Sequence, residues 1–218
     1  MQVGPLSVKS LARQERSSLL DLVQGLSPEQ WAAPSLCENW TVRDVVAHHL
    51  SYDELPAATM VARFTRNLFR FDRTNEQGLG DLADATPDHL VALLSRHLTP
   101  SGLPRAFGSR IALLDRIALL DCMVHHQDIR RPLGLPRTIP AERLIPAIDF
   151  ALLAPPIHAH HRITGLRLVA EDMTWASGRG PEVTGPGEAL LMAVAGRGVA
   201  VDDLSGPGVD VLRSRLNR

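Results

Sequence analysis

The sequence predicts a mainly α-helical protein in which a helical bundle precedes a small α+β segment. Apolar residues recur every three or four positions through the first three quarters of the chain, as they do on buried helix faces. From Ile163 onward, alternating apolar and polar residues and closely spaced glycines are typical of short strands and turns. We therefore expect a large helical domain over residues 1–162 and a small α+β domain over residues 163–218.

N-terminal capping residues mark where several helices begin. The first helix is expected over about residues 7–25, where leucines and a valine can share one face. Ser27 and Thr41 each start a capping-box pattern, and Thr86 precedes a proline that suits the first helical position. A further amphipathic helix is expected over residues 57–72.

A long helix is expected over about residues 109–130, and its apolar stripe carries polar residues near its end. Asp121, His125 and Asp128 continue the face that begins at Ile111. A carboxylate on a buried face is costly unless a cation or a hydrogen-bond donor compensates it. This part of the helix is therefore a candidate functional site.

Prolines, glycines and the alternation of apolar with polar residues predict the remaining elements. One more helix is expected over about residues 141–160, broken or ended at Pro155-Pro156, and it leads into the strands that follow Ile163. Two short helices, at about residues 188–195 and 209–216, complete the chain.

The composition excludes several classes of function. The chain of 218 residues is 44% hydrophobic and 22% charged, with a formal net charge of −1. That balance supplies no global field for nucleic acid or an anionic membrane. Lys9 is the sole lysine, so a P-loop lysine and a pyridoxal Schiff base are both excluded deeper in the chain.

Cys37 and Cys122 form no CxxC pair, which favours a reducing, cytoplasmic setting over a disulfide framework. We also expect no signal peptide and no membrane span. Free, buried thiols are the simplest interpretation of both cysteines, although either could approach a metal.

Asp121 and His125 are four residues apart, so on a helix their side chains project from one face and could grip one metal ion. The alternative is a hydrogen-bonded pair in the core without a metal. A third ligand would come from His48 or His49, and periodicity does not choose between them. His126 and Asp128 are candidate partners for the second nitrogen of a ligating imidazole.

Three stretches of the sequence resemble the mycothiol-dependent maleylpyruvate isomerase family, which lies within the DinB-like metal-binding bundles. The first runs from Leu26 to Trp31 and from Ser35 to His48, and the second covers Val124–Arg130 with Leu133-Gly134. The third is the tail, which includes Gly165–Asp172, Trp175, Gly185-Pro186, Ala195-Gly196-Arg197 and Leu204-Ser205-Gly206. Together they span nearly the whole chain.

The resemblance implies a DinB-like four-helix bundle followed by a small C-terminal α+β domain. In the family a tryptophan precedes the first histidine ligand by eight positions, which selects His48 after Trp40. Asp121 and His125 match the second metal motif, with Asp where the characterised isomerase type has Glu. Arg197 falls on the family's Gly-Arg element, where it could bind a substrate carboxylate through a forked hydrogen bond.

The same resemblance implies a cytoplasmic isomerase or thiol S-transferase from an actinobacterium-like host. It would use mycothiol and a divalent metal, with zinc expected, and a metal-bound thiolate would attack a small, electrophilic, carboxylate-bearing substrate. We expect a monomer or homodimer with no nucleic-acid or membrane partner. Two alternatives remain open: a non-catalytic metal- or ligand-binding protein, and a metal-dependent hydrolase on the same three residues.

Overall fold

The computed structural model describes residues 6–51, 53, 59, 62, 77–98 and 109–217, with the backbone alone at 109–112. These residues fall into two compact units that divide between Pro136 and Arg137. The helix expected over residues 57–72 lies outside the described residues. None of the described helices is long and apolar enough to cross a membrane.

The first unit is helical. Among the helices that the structure describes there are α1 (Val8–Gln24), α2 (Pro28–Ala32), α3 (Val42–Leu50), α4 (Pro87–Arg96) and α5 (Ser109–Arg130). Helices α1 and α3 each pack against both α4 and α5. Their apolar faces meet in one core of fully buried side chains, among them Leu19, Val45, Leu90, Leu93 and Ile129.

The predicted N-terminal caps are confirmed. In both capping boxes, the hydroxyl of Ser27 or Thr41 accepts from the backbone N–H three residues later. The side chain at that position, Gln30 or Asp44, accepts from the cap residue's N–H in return. Thr86 likewise caps α4. Since α3 carries His48 and His49, its cap fixes where both imidazoles enter the bundle.

The second unit mixes helices and a small sheet. It comprises α6 (Ala141–Ala151), a 3₁₀ turn (Pro155–Ile157), α7 (Ala159–Ile163), β1 (Arg167–Ala170), β2 (Ala176–Gly178), β3 (Glu182–Gly185), α8 (Gly187–Val194), a second 3₁₀ turn (Gly198–Asp203) and α9 (Val209–Leu216). The strand order is β2-β1-β3, with β1 antiparallel to β2 and parallel to β3.

The helical region expected over residues 141–160 is broken around Pro155-Pro156 as predicted, although α6 already ends at Ala151. Ala154 is extended, with φ −71° and ψ 115°, as residues before proline usually are. Pro155 and Pro156 then form a 3₁₀ turn, so α7 is a separate helix.

The division of the chain lies earlier than the boundary expected near residue 162. Helix α6 belongs to the second unit because its apolar face packs against α8. At the start of α8, a Cβ on Gly187 would lie 3.0 Å from Cδ2 of Leu144, so the absence of a side chain there permits the close contact.

Candidate metal centre

Helices α3 and α5 bring His48, Asp121 and His125 together in the first unit. Each offers one ligand atom, and these atoms lie within 4.8 Å of one another. Nε2 of His125 is 3.5 Å from Oδ1 of Asp121, and the rings of His48 and His125 meet edge-on with centroids 5.0 Å apart. His48 is buried, whereas the Asp121 side chain is 36% exposed, so solvent reaches the cluster at Asp121.

Asp128 forms a hydrogen bond with the ring nitrogen of His125 that does not face Asp121. Nδ1 of His125 donates to Oδ2 of Asp128 at 3.0 Å, and the Asp128 side chain is fully buried. The expected contact of Asp128 with His125 is thus present, and it leaves Nε2 facing Asp121. Such an outer partner fixes the tautomer and the ring orientation of a ligating histidine.

The Cys37 thiol contacts the same carboxylate. It donates to Oδ2 of Asp128 at 3.2 Å, and Sγ lies 3.8 Å from Nδ1 of His125. Cys37, His125 and Asp128 therefore form a second set of potential ligand atoms within 4.8 Å of one another. Cys122 is fully buried in the hydrophobic core.

His126, the other candidate partner for a ligating imidazole, serves a different contact. Its Nδ1 donates to Oε1 of Glu15 at 2.9 Å, and its Nε2 accepts from Nε of Arg130 at 2.8 Å. Neighbouring residues on a helix point about 100° apart. His126 is therefore directed toward α1, away from the side of α5 that carries His125.

His49 also reaches the cluster, through Asp121. Its Nδ1 lies 2.8 Å from Oδ2 of Asp121. Sequence periodicity left His48 and His49 as alternatives, and the structure gives a separate contact to each. The sequence feature that could have indicated a role for His49 is its position next to His48. Consecutive side chains on a helix point in different directions, so both can reach the same partner helix.

The charges of the cluster follow from burial and neighbours. Burial lowers the pKa of His48 to about 3, and nearby His125 adds to that effect. Burial alone would lower the pKa of His125, but Asp121 and Asp128 outweigh it and raise that pKa to about 10. Burial likewise opposes ionisation of Asp121, yet His125 and His49 hold its pKa below the usual range. The result is a neutral His48 beside a His125–Asp121 ion pair.

These residues fit a divalent metal ion. Two imidazoles and one carboxylate are a common ligand set for zinc that leaves a further position open. His48 is neutral, as a ligand must be, and the Asp128 contact leaves Nε2 of His125 facing the cluster. Borderline metals suit nitrogen and oxygen ligands of this kind.

Metal binding at this cluster should release about one proton near neutral pH. The raised pKa of His125, about 10, means that the imidazole carries a proton that a metal must displace. Apparent affinity should therefore rise about tenfold per pH unit in the range below that pKa. Calorimetry in buffers of different ionisation enthalpy measures the number of protons released when the metal binds. Metal binding that is independent of pH and releases no proton would contradict a protonated His125 as a metal ligand.

Arg197 lies in the second unit, in the loop between α8 and the second 3₁₀ turn. Its side chain is half-buried, and Nη1 donates to the carbonyl of Ala195 at 3.1 Å. Its contact with a substrate carboxylate remains a prediction.

The sequence profile of the mycothiol maleylpyruvate isomerase N-terminal domain matches residues 12–130, more than half of the chain. The chain belongs to the mycothiol-dependent maleylpyruvate isomerase family. The matched range contains His48, Asp121 and His125, together with Cys37 and Asp128. Arg197 lies outside it.

Two solved structures have the same fold as this chain. They are crystal structures of the mycothiol-dependent maleylpyruvate isomerase and of a mutant of it. Each is 17% identical to this chain, with a TM-score of 0.64 over 92% of this chain and 91% of the other. The predicted fold, a mainly helical DinB-like bundle followed by a small α+β segment, is thereby confirmed. A search of curated proteins found no match.

Proposed function

We propose that this protein is a metal-dependent enzyme that uses mycothiol to isomerise, or transfer the thiol to, a small electrophilic substrate. The observation that carries the proposal is the cluster of His48, Asp121 and His125 within the range that the family profile matches. Zinc is the metal that we expect, because the three ligand atoms are two imidazole nitrogens and one carboxylate oxygen.

The chain's own residues would each have a defined task. A bound divalent ion with an open position would lower the pKa of a thiol held there, so that a thiolate nucleophile forms at neutral pH. His48 would contribute a neutral nitrogen, and Asp121 a negative charge that offsets part of the ion's charge. Asp128 would keep the His125 ring turned so that Nε2 stays available.

The thiolate can lead to two products. Addition of the sulfur to an activated carbon–carbon double bond converts it to a single bond, and rotation followed by elimination returns the thiol with the isomerised substrate. If the carbanion formed by the addition instead takes up the proton that the thiol lost, the carbon–sulfur bond persists and the net reaction is thiol transfer. Arg197 would bind a carboxylate of the substrate by a forked hydrogen bond.

We further propose that the protein works in a reducing compartment such as the cytoplasm. Cys37 and Cys122 are both thiols that are not joined in a disulfide. A low-molecular-weight thiol cosubstrate also requires conditions that keep thiols reduced.

The test combines metal content with thiol-dependent turnover. Protein reconstituted with zinc should contain one ion per chain, bind mycothiol in calorimetry, and convert maleylpyruvate or related unsaturated carboxylates only when the thiol is present. An isomerase leaves the thiol concentration unchanged, whereas a transferase consumes it. The His48→Ala variant should lose metal and thiol binding together, while His89→Ala, which alters an exposed helix histidine, should keep both.

Other outcomes would support the alternatives. Turnover without any thiol would indicate a metal-dependent hydrolase on the same residues. Metal and ligand binding without turnover on the substrate panel would favour a binding protein. A chain that stays metal-free after reconstitution with zinc, nickel and iron would overturn the proposal.

A further inference from the structure

His49 makes one directed contact at the metal cluster. Its side chain is 2% exposed, and Nδ1 lies 2.8 Å from Oδ2 of Asp121. An ionised carboxylate only accepts hydrogen bonds, so Nδ1 is the donor. Oδ2 is therefore engaged by α3, and Oδ1 is the oxygen that lies 3.5 Å from Nε2 of His125.

We propose that His49 is a positioning residue that fixes the carboxylate of Asp121 so that Oδ1 is presented to the metal. This inference rests on the proposed metal site. Asp121 needs such support because its side chain is 36% exposed, more than those of His48 and His125, and solvent competes for its oxygens.

The two adjacent histidines of α3 therefore have different roles. Consecutive helical residues point about 100° apart, so His48 enters the cluster while His49 reaches the far side of the carboxylate. The capping box at Thr41 fixes the start of α3, and the packing of α3 against α5 fixes its distance from Asp121. A short helix therefore supplies one ligand and orients another.

His49 is placed to position a ligand and not to be one. Among the residues that the structure describes, two groups bring three potential ligand atoms within 4.8 Å, and His49 belongs to neither. Replacing it should weaken metal binding without removing a ligand. Loss of such an outer contact usually costs about 10–100-fold in metal affinity.

Three variants of His49 test this role. His49→Asn keeps an amide nitrogen close to the place of Nδ1, whereas His49→Gln moves the amide toward the place of Nε2, and His49→Leu removes the donor. We expect the Leu and Gln variants to bind zinc about 10–100-fold more weakly and the Asn variant to stay within a few-fold of the wild type. Competition with a chromogenic chelator gives the affinity, and the absorption bands of bound Co²⁺ report the ligand geometry.

The outcomes separate this inference from the proposed function. If the wild type binds zinc, His48→Ala does not, and the Leu and Gln variants bind like the wild type, the metal site stands and the role of His49 is overturned. If the wild type binds no metal, both fail. Circular dichroism checks folding, and if His49→Leu does not fold, the comparison of the Asn and Gln variants decides.

Discussion

The His125→Ala variant should lose stoichiometric metal, with affinity reduced by more than the roughly 100-fold that removal of an outer contact costs. The change deletes Nε2 from the cluster and also frees Oδ2 of Asp128 from its 3.0 Å hydrogen bond. Because Asp128 is fully buried, a carboxylate that loses this donor is expensive to keep ionised. We therefore expect a loss of stability in addition to the loss of metal.

Elemental analysis, chelator competition and thermal unfolding measure the two effects separately. His89→Ala is the matched control, because it removes an exposed imidazole from the helix α4. A folded His125→Ala protein that retains one ion per chain at wild-type affinity would contradict the assignment of the site.

Two further variants distinguish the two overlapping sets of ligand atoms, since His125 belongs to both. If His48, Asp121 and His125 hold the ion, His48→Ala loses metal and Cys37→Ala keeps it. The reverse pattern would assign the ion to Cys37, His125 and Asp128 instead. The first outcome is expected, because the hydrogen bonds that Asp128 accepts from His125 and Cys37 are already well formed at 3.0 and 3.2 Å.

The spacing of residues within α5 was enough to predict that Asp121 and His125 lie together in this cluster. Asp121 and His125 are one helical turn apart, so any helix there brings their side chains to one face. The choice of His48 needed the family resemblance, because His48 and His49 are both buried and both face functional partners. Helical period alone does not distinguish the histidine proposed as a ligand from the histidine proposed to orient Asp121.

The contact of Cys37 with the site depends on a loop that sequence patterns do not specify. The N–H of Leu36 donates to the carbonyl of Asp128 at 3.0 Å, which ties the loop to the last turn of α5. Asn39 adopts a left-handed conformation, with φ 62°, that turns the chain before Thr41. The Leu36–Asp128 hydrogen bond joins residues that are far apart in the sequence, so local propensity does not indicate it.

The position of Glu15 in the sequence could have indicated that this residue needs a buried partner. It lies four residues after Leu11 and four before Leu19, on the apolar face of α1. A charged residue in such a stripe requires a partner. The partner, His126, lies on α5 and could not be assigned from the sequence, because several polar residues near the end of that helix compete for the role.

Replacing Glu15 by leucine should destabilise the first unit by about 3 kcal/mol, the upper end of the cost of leaving a fully buried donor without its acceptor. Glu15 and His126 are both fully buried and joined at 2.9 Å, and Arg130 donates to the other side of the same imidazole. Removing the carboxylate leaves the imidazole N–H without this acceptor and removes the negative end of the Glu15–His126–Arg130 chain. The melting temperature should fall by roughly 10 °C, at about 2–4 °C per kcal/mol for a protein of this size.

Glu15→Gln is the matched control for the leucine variant. Its side-chain carbonyl can still accept from Nδ1 of His126, so the loss should be nearer 1–2 kcal/mol, roughly the worth of a charge-assisted over a neutral hydrogen bond. Chemical denaturation of both variants gives the free energies. Zinc affinity of the folded Glu15→Gln protein should match the wild type, because the side of α5 that carries His126 is turned away from His125. If the leucine variant is as stable as the wild type, the hydrogen bond between Glu15 and His126 does not stabilise the fold, and the prediction is contradicted.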